Sequence, residues 1–170
     1  MAMPQVHIVA YCGDLGYGVA VGTQIIALML GLGVVSRLAS GALADRIGRR
    51  NTIGFSMLGA SVITLALWQA SSLLVIYALM LLLALVAEMH RPAASALIAD
   101  LVPSKQRVTA FAVFRLAINV GWAFGLTLGG LLADASFSYL FVGDAATSAA
   151  FGVISLIALP HGRRTSRHEE

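Results

Sequence analysis

Gly41-Ala42-Leu43-Ala44-Asp45-Arg46-Ile47-Gly48-Arg49-Arg50 is a charged, glycine-punctuated stretch set between two long apolar runs. Hydrocarbon cannot solvate ions, so arginines wedged between two runs of spanning length must lie in water at one face of a bilayer. The stretch reads as a tight bend joining two membrane helices, and it orients everything around it.

Composition agrees. Of 170 residues, 59% are hydrophobic and 11% charged, against roughly 25% charged in a soluble domain. The formal charge of +3 could signal nucleic acid, but the positions of the basic residues exclude that partner. Arg37, Arg46, Arg49, Arg50, Lys105, Arg107, Arg163, Arg164 and Arg167 fall in or beside alternate loops, and the other loops hold no Lys or Arg. This asymmetry follows the positive-inside rule and assigns residues 41–51, 99–107 and 161–170 to the cytoplasmic side. The lone Cys12 allows no intrachain disulfide, and no Cys/His spacing of a metal site occurs. Residues 1–5 lack the positive region of a signal sequence, and the run Val6–Cys12 is too short for one.

Outward from the bend, the hydropathy pattern predicts one all-α membrane domain over 1–170 with five spans. Residues 1–20 are too short to span and end in the turn-rich Gly13-Asp14-Leu15-Gly16-Tyr17-Gly18. The spans are expected at about 21–40, 52–70, 73–98, 108–132 and 138–160, with 161–170 as a polar cytoplasmic tail. The first two, joined by so short a link, are expected antiparallel and adjacent. The third is longer than a bilayer requires and should tilt or protrude. Within the bend, Gly48 suits the positive φ of a reversal and Gly41 suits close packing at a helix end. Asp45 lies at the C-terminal end of a helix, where its own dipole repels it, so it needs a cation or another helix's N-terminus.

The bend resembles the signature loop of the major facilitator superfamily, the pattern G-x-L-a-D-r-x-G-r-r between that family's second and third helices. Gly41, Leu43, Asp45, Arg46, Gly48, Arg49 and Arg50 all match it. The resemblance implies helices two to six of a twelve-helix transporter, a partial six-helix half whose first helix is represented by a stub. It also implies a conformation-dependent latch on Asp45, built partly against the other half, and a pairing of Asp100 with Arg46 or Arg49. A second element, Gly121-Trp122-Ala123-Phe124-Gly125-Leu126-Thr127-Leu128-Gly129-Gly130, is similar to the g-x-x-x-G-P-x-x-G-G motif of the drug:proton antiporter branch, with Leu126 in place of proline. Its glycines at 121, 125 and 129 recur every four residues and describe a groove for helix contact. That branch's arginine and glycine early in the fourth helix have no counterpart, because residues 73–87 contain neither. Residues 7–20 resemble instead the outer end of an initial helix in monocarboxylate-type members.

Ionisable residues at membrane depth require a partner or an aqueous cavity. Glu88 and Arg91 are three apart on one helix face, and Arg115 and Asn119 are four apart on the next span. Together they describe a cavity-facing cluster suited to an anionic or proton-coupled substrate. His90 reads as a hydrogen-bonded packing residue, and Asp144 as close enough to the outer face to reach water. No Ser/His/Asp arrangement or phosphate loop occurs, so neither enzyme chemistry nor a cofactor is implied.

The expected function is transport of a small organic solute or drug, proton-coupled, in a bacterial inner membrane. The expected partners are lipid, the solute, and a second transporter half or a homodimer, without which the chain should be inactive. Two alternatives stand beside it: a non-transporting membrane protein that associates through the glycine groove, and part of a monocarboxylate-type transporter that reads its substrate with Arg115.

Overall fold

The computed structural model describes residues 3–160, apart from the side chains of residues 3–6, 39, 42 and 45. The expected tail at 161–170 lies outside the described residues. The helices are α1 (Met3–Asp14), α2 (Val19–Ile47), α3 (Arg49–Trp68), α4 (Leu73–Ala87), α5 (His90–Leu101), α6 (Arg107–Ala135) and α7 (Phe137–Ala158), with a single 3₁₀ turn at Ser104–Gln106. With α4 and α5 counted as one bent unit, five segments are long and apolar enough to cross a membrane. The protein is all-helical, with the make-up of a partial six-helix half.

The first correction concerns the bend. Helix α2 does not end at residue 40 but continues through Gly41 to Ile47, and only Gly48 leaves the helical conformation. Gly48 has φ 90° and ψ 143°, serving as the C-cap of α2 and the N-cap of α3. A side chain would be strained at that φ, so one glycine does what ten residues were expected to do. Asn51 donates to the Ile47 carbonyl at 3.0 Å and Thr52 to that of Gly48 at 3.0 Å, meeting acceptors where the helix ladder is interrupted. The other glycine behaves differently: Gly41 is exposed, and a Cβ there would meet nothing within 4 Å. The expected close packing at Gly41 is absent because the described helices leave that face of α2 uncovered.

Although joined by one residue, α2 and α3 diverge: α2 makes most of its contact with α4 and α1, and α3 with α7. The α3–α7 seam is the tightest in the molecule. Ser61, Ala145, Ser148, Gly152 and Ser155 are buried along it, and Ser61 donates to the Ala145 carbonyl at 2.8 Å. A Cβ at Gly152 would lie 3.0 Å from Leu58, 3.1 Å from Met57 and 3.2 Å from the Gly54 carbonyl. Small residues let backbones approach where lipid supplies no hydrophobic drive for helices to associate.

The anticipated groove lies elsewhere and is largely unfilled. On α6, Gly121 is exposed and a Cβ at Gly121 or Gly130 would meet nothing within 4 Å; Gly125 is half-buried and Gly129 buried. Only 6% of the 18-residue apolar window of α6 is buried. The spacing of its glycines carried no information about which helix face finds a neighbour.

At the end opposite Gly48, aromatic side chains tie the helix ends together. Tyr17 donates to the Ser71 carbonyl at 2.6 Å, Tyr11 to that of Ala70 at 3.3 Å, and Trp68 Nε1 to Ser138 Oγ at 3.0 Å. The Tyr11 ring stands edge-on to Phe137 and Phe141. Amphipathic rings are favoured at this depth, where one edge is apolar and the other wet. Short as it is, α1 joins the core through Ile8 and Cys12, both fully buried.

The seam can be tested by substitution. Gly152→Leu should destabilise the detergent-purified chain by roughly 1–3 kcal/mol, the cost of overpacking, whereas Gly121→Leu should leave the thermal midpoint unchanged. Equal effects would place the critical contact elsewhere.

Candidate functional site

The span expected at 73–98 is broken in the middle. Helix α4 stops at Ala87 and α5 starts at His90, and the cause is Pro92. Proline has no N–H to give the carbonyl four residues back, at Glu88, and its ring crowds that carbonyl. In hydrocarbon every freed carbonyl must find another donor. Around the break, side chains add donors to the carbonyls before it: Ser36 of α2 to Leu85, Ser56 of α3 to Val86 at 2.7 Å, which also accepts from the Met89 N–H at 3.4 Å, and, within the bent unit, His90 Nδ1 to Ala87. The Glu88 carbonyl itself accepts from the Arg91 N–H at 3.4 Å. His90 is therefore a packing residue in its N–H-on-Nδ1 form, and the break is stitched to both neighbouring helices.

The Glu88 side chain occupies the break. Its Oε2 accepts from Arg37 Nη2 at 2.6 Å and Nε at 2.8 Å, and lies 3.5 Å from Arg91 Nε. Glu88 is 13% exposed, against 50% for Arg37 and 45% for Arg91. Gly33, one turn before Arg37, makes room: a Cβ there would stand 3.4 Å from Glu88 Cγ. Glu88 is midway along the bent Leu73–Leu101 unit. Arg37 is ten residues inside the end of α2 at Ile47, about 15 Å at the rise of an α-helix. Arg37 is also one residue inside the end of the apolar Val19–Leu38 stretch of α2, so the group ties the middle of the bent unit to the Gly48-side end of that stretch.

Arg37 was expected merely among the loop arginines; its role here depends on α2 running straight past the expected bend. Sequence held a signal for the break, namely a proline in mid-span, but none for which helix supplies the cation. Arg115 and Asn119 do not join the group. Both are exposed on α6 and form no ion pair or side-chain hydrogen bond with Glu88 or Arg91 among the described residues. The anticipated four-residue cluster is replaced by Arg37, Glu88 and Arg91.

At the Gly48 end, Arg49 Nη1 pairs with Asp100 Oδ2 and donates to the Ala96 carbonyl, while Arg50 Nη1 donates to the Leu159 carbonyl at 3.4 Å. Two cations from the first turn of α3 thus meet the C-terminal ends of α5 and α7, where partial negative charge gathers. Arg46 is exposed and is not the partner of Asp100. The side chain of Asp45, and with it the expected latch, lies outside what is described. Leu43 is half-buried beneath this layer.

Asp144 requires correction. Rather than reaching water it is 4% exposed, beside Ala145 on the α7 face turned toward α3. Two turns of helix separate it from Phe137, and the facing helix covers it. An open hollow lined by Val102, Gln106, Thr109, Ala110, Val113 and Phe114 lies between the start of α6 and the loop before it, beyond the far end of α5 from Glu88.

A five-span bundle turned on one positive-φ glycine, with the arginines after it capping neighbouring helices, matches a known family over its whole length: the model described as Major Facilitator Superfamily covers residues 1–170. The chain belongs to the major facilitator superfamily. It is thus a multi-pass membrane protein of a transporter family. Among similar proteins, the uncharacterized MFS-type transporter YqjV of Bacillus subtilis (strain 168) is 27% identical over 130 residues, 76% of this chain and 32% of the relative. The class H tetracycline resistance protein of Pasteurella multocida is 29% identical over 145 residues, 85% of this chain and 35% of the relative. The quinolone resistance protein NorA of Staphylococcus aureus is 29% identical over 159 residues, 92% of this chain and 41% of the relative. The superfamily chain spans well under half the length of these curated relatives.

Two measurements check the site's construction. Arg49→Gln and Asp100→Asn, singly and together, should give a coupling energy of about 1 kcal/mol, falling in 1 M salt as the part-exposed pair is screened. Ser56→Ala should cost about 1 kcal/mol in SDS-titrated unfolding, because the Val86 carbonyl loses its hydroxyl donor.

Proposed function

We propose that the chain forms part of a proton-coupled secondary transporter for a small organic solute or drug, working with a second helical half. The observation that carries this reading is the Arg37–Glu88–Arg91 group, whose carboxylate stands midway along the bent Leu73–Leu101 unit. Ions at that depth are expensive, and in transporters they mark solute and proton pathways. Glu88 is the protonatable member. Two of the relatives take their names from resistance to tetracycline and to quinolones, which supports a drug or drug-like solute.

The bare face of α6 supports dependence on more helices. An apolar segment of 32 residues whose 18-residue apolar window is 6% buried is what a second half, or a second copy of this chain, would cover. Alternating access in this superfamily rocks two halves about a central site, so one half alone has nothing to rock against. The loops rich in arginine and the tail at 161–170 face the cytoplasm, and the membrane is the bacterial inner membrane. The work done is translocation, with no chemical step and no cofactor.

Disrupting the coding region in its source cell should raise the accumulation of ethidium, a cationic probe, or of benzoate, an anionic one, and a proton uncoupler should abolish the difference. Unchanged accumulation of both would overturn the transport reading. Proteoliposomes of this chain alone should show no flux of either probe under a pH gradient; flux scaling with protein would overturn the need for a second half.

A further inference from the structure

Arg37, Glu88 and Arg91 do not balance: two guanidiniums share one carboxylate, which leaves a net charge of +1 around an acid midway along the bent Leu73–Leu101 unit. By contrast, Arg49 and Asp100 at the Gly48 end pair one to one. Each guanidinium presents five N–H donors in a planar fork. The described contacts engage two donors of Arg37 and bring Arg91 Nε to 3.5 Å, all at the same oxygen, Oε2. The remaining donors belong to side chains about half exposed, while the carboxylate beneath them is 13% exposed. Positive charge therefore faces outward from the group and negative charge faces in.

The elements packed around the group offer it no second acid among the described residues. Helix α2 brings Gly33 and Ser36, with Ser36 committed to the Leu85 carbonyl. From α3 come Ser56, committed to Val86, and Gly59, whose Cβ would stand 3.0 Å from the Val86 side chain. His90 is committed to Ala87. Paired forks held by a common anchor are the geometry that receives a planar carboxylate bidentately.

We propose that Arg37 and Arg91 bind the carboxylate of a small organic monoanion, with Glu88 as the countercharge that the two guanidiniums share and that competes with the anion for them. Binding one such anion brings the site to neutrality. This names a substrate class for the transporter reading and rests on it. Removing the Glu88 charge takes the site from +1 to +2, so an anion should then bind more tightly; a purely structural ion pair makes no such demand.

The test is equilibrium binding of radiolabelled benzoate to the full chain in detergent, with benzamide as the neutral isostere. Benzoate should bind without competition from benzamide. Arg37→Gln and Arg91→Gln should each weaken it at least tenfold, a loss of about 1.4 kcal/mol or more, and Glu88→Gln should tighten it several-fold. Unchanged affinity in both arginine variants, or weaker binding in Glu88→Gln, overturns the site. On the unmutated chain, benzoate but not benzamide should slow phenylglyoxal labelling of Arg37 and Arg91, read by peptide mass, and leave Arg115 unaffected. Equal labelling rates with and without benzoate overturn the proposal even where a variant does not fold. Because binding is read on the purified chain and transport by accumulation in cells, either proposal can fail without the other.

Discussion

Carbonyl groups released inside hydrocarbon must be met by other donors, and the centre of this protein is arranged around that demand. Pro92 leaves the Glu88 carbonyl without its usual donor and the Arg91 N–H reaches it, while Ser36, Ser56 and His90 donate to the carbonyls of Leu85, Val86 and Ala87 just before the break. Because two of those donors stand on α2 and α3, satisfying the break also docks the bent α4–α5 unit against both neighbours. It places Glu88 beside α2, where a glycine at 33 leaves room for its stem and an arginine one turn on accepts its charge. The same break thus positions the backbone, the contacts with α2 and α3, and the Glu88 carboxylate.

The Gly48 end follows a related logic. Cations in the first turn of a helix are unfavourably placed against that helix's own dipole. Arg49 and Arg50 are nonetheless well placed, because their side chains reach the C-terminal ends of α5 and α7. Each antiparallel neighbour contributes what α3 lacks. The reversal at Gly48 has to be one residue long for these side chains to arrive at the right height, which gives a physical reason for glycine, at positive φ, followed directly by two arginines.

Across the bundle, covered and bare surfaces are unequal. The α3–α7 seam is built from glycine, alanine and serine at near-backbone contact, while α6 shows most of its length to the surroundings. Lipid can cover an apolar face indefinitely, so bareness alone costs little; the half-exposed arginines of the central group are different, because hydrocarbon cannot cover them. Water, a solute or another polypeptide has to do so.

Much was legible in the sequence by itself. Apolar runs of spanning length, arginines confined to alternate loops, and the Gly41–Arg50 pattern determined a five-span helical bundle, its expected orientation and its family, because hydropathy and backbone propensity are properties of a single segment. The positive φ of Gly48 belongs to the same class of inference, whereas a cation for Asp100 was implied by the family resemblance. Only the tertiary structure decided which side chains meet: Arg37 with Glu88 in place of Arg115, Arg49 with Asp100 in place of Arg46, Asp144 under α3 and away from water, and the tight seam at Gly152 in place of Gly121. Each of those outcomes depends on how two helices rotate about their own axes and against each other. Periodicity along one helix gives the relative angle of its own residues, and the neighbour that a face finds is set by packing between helices.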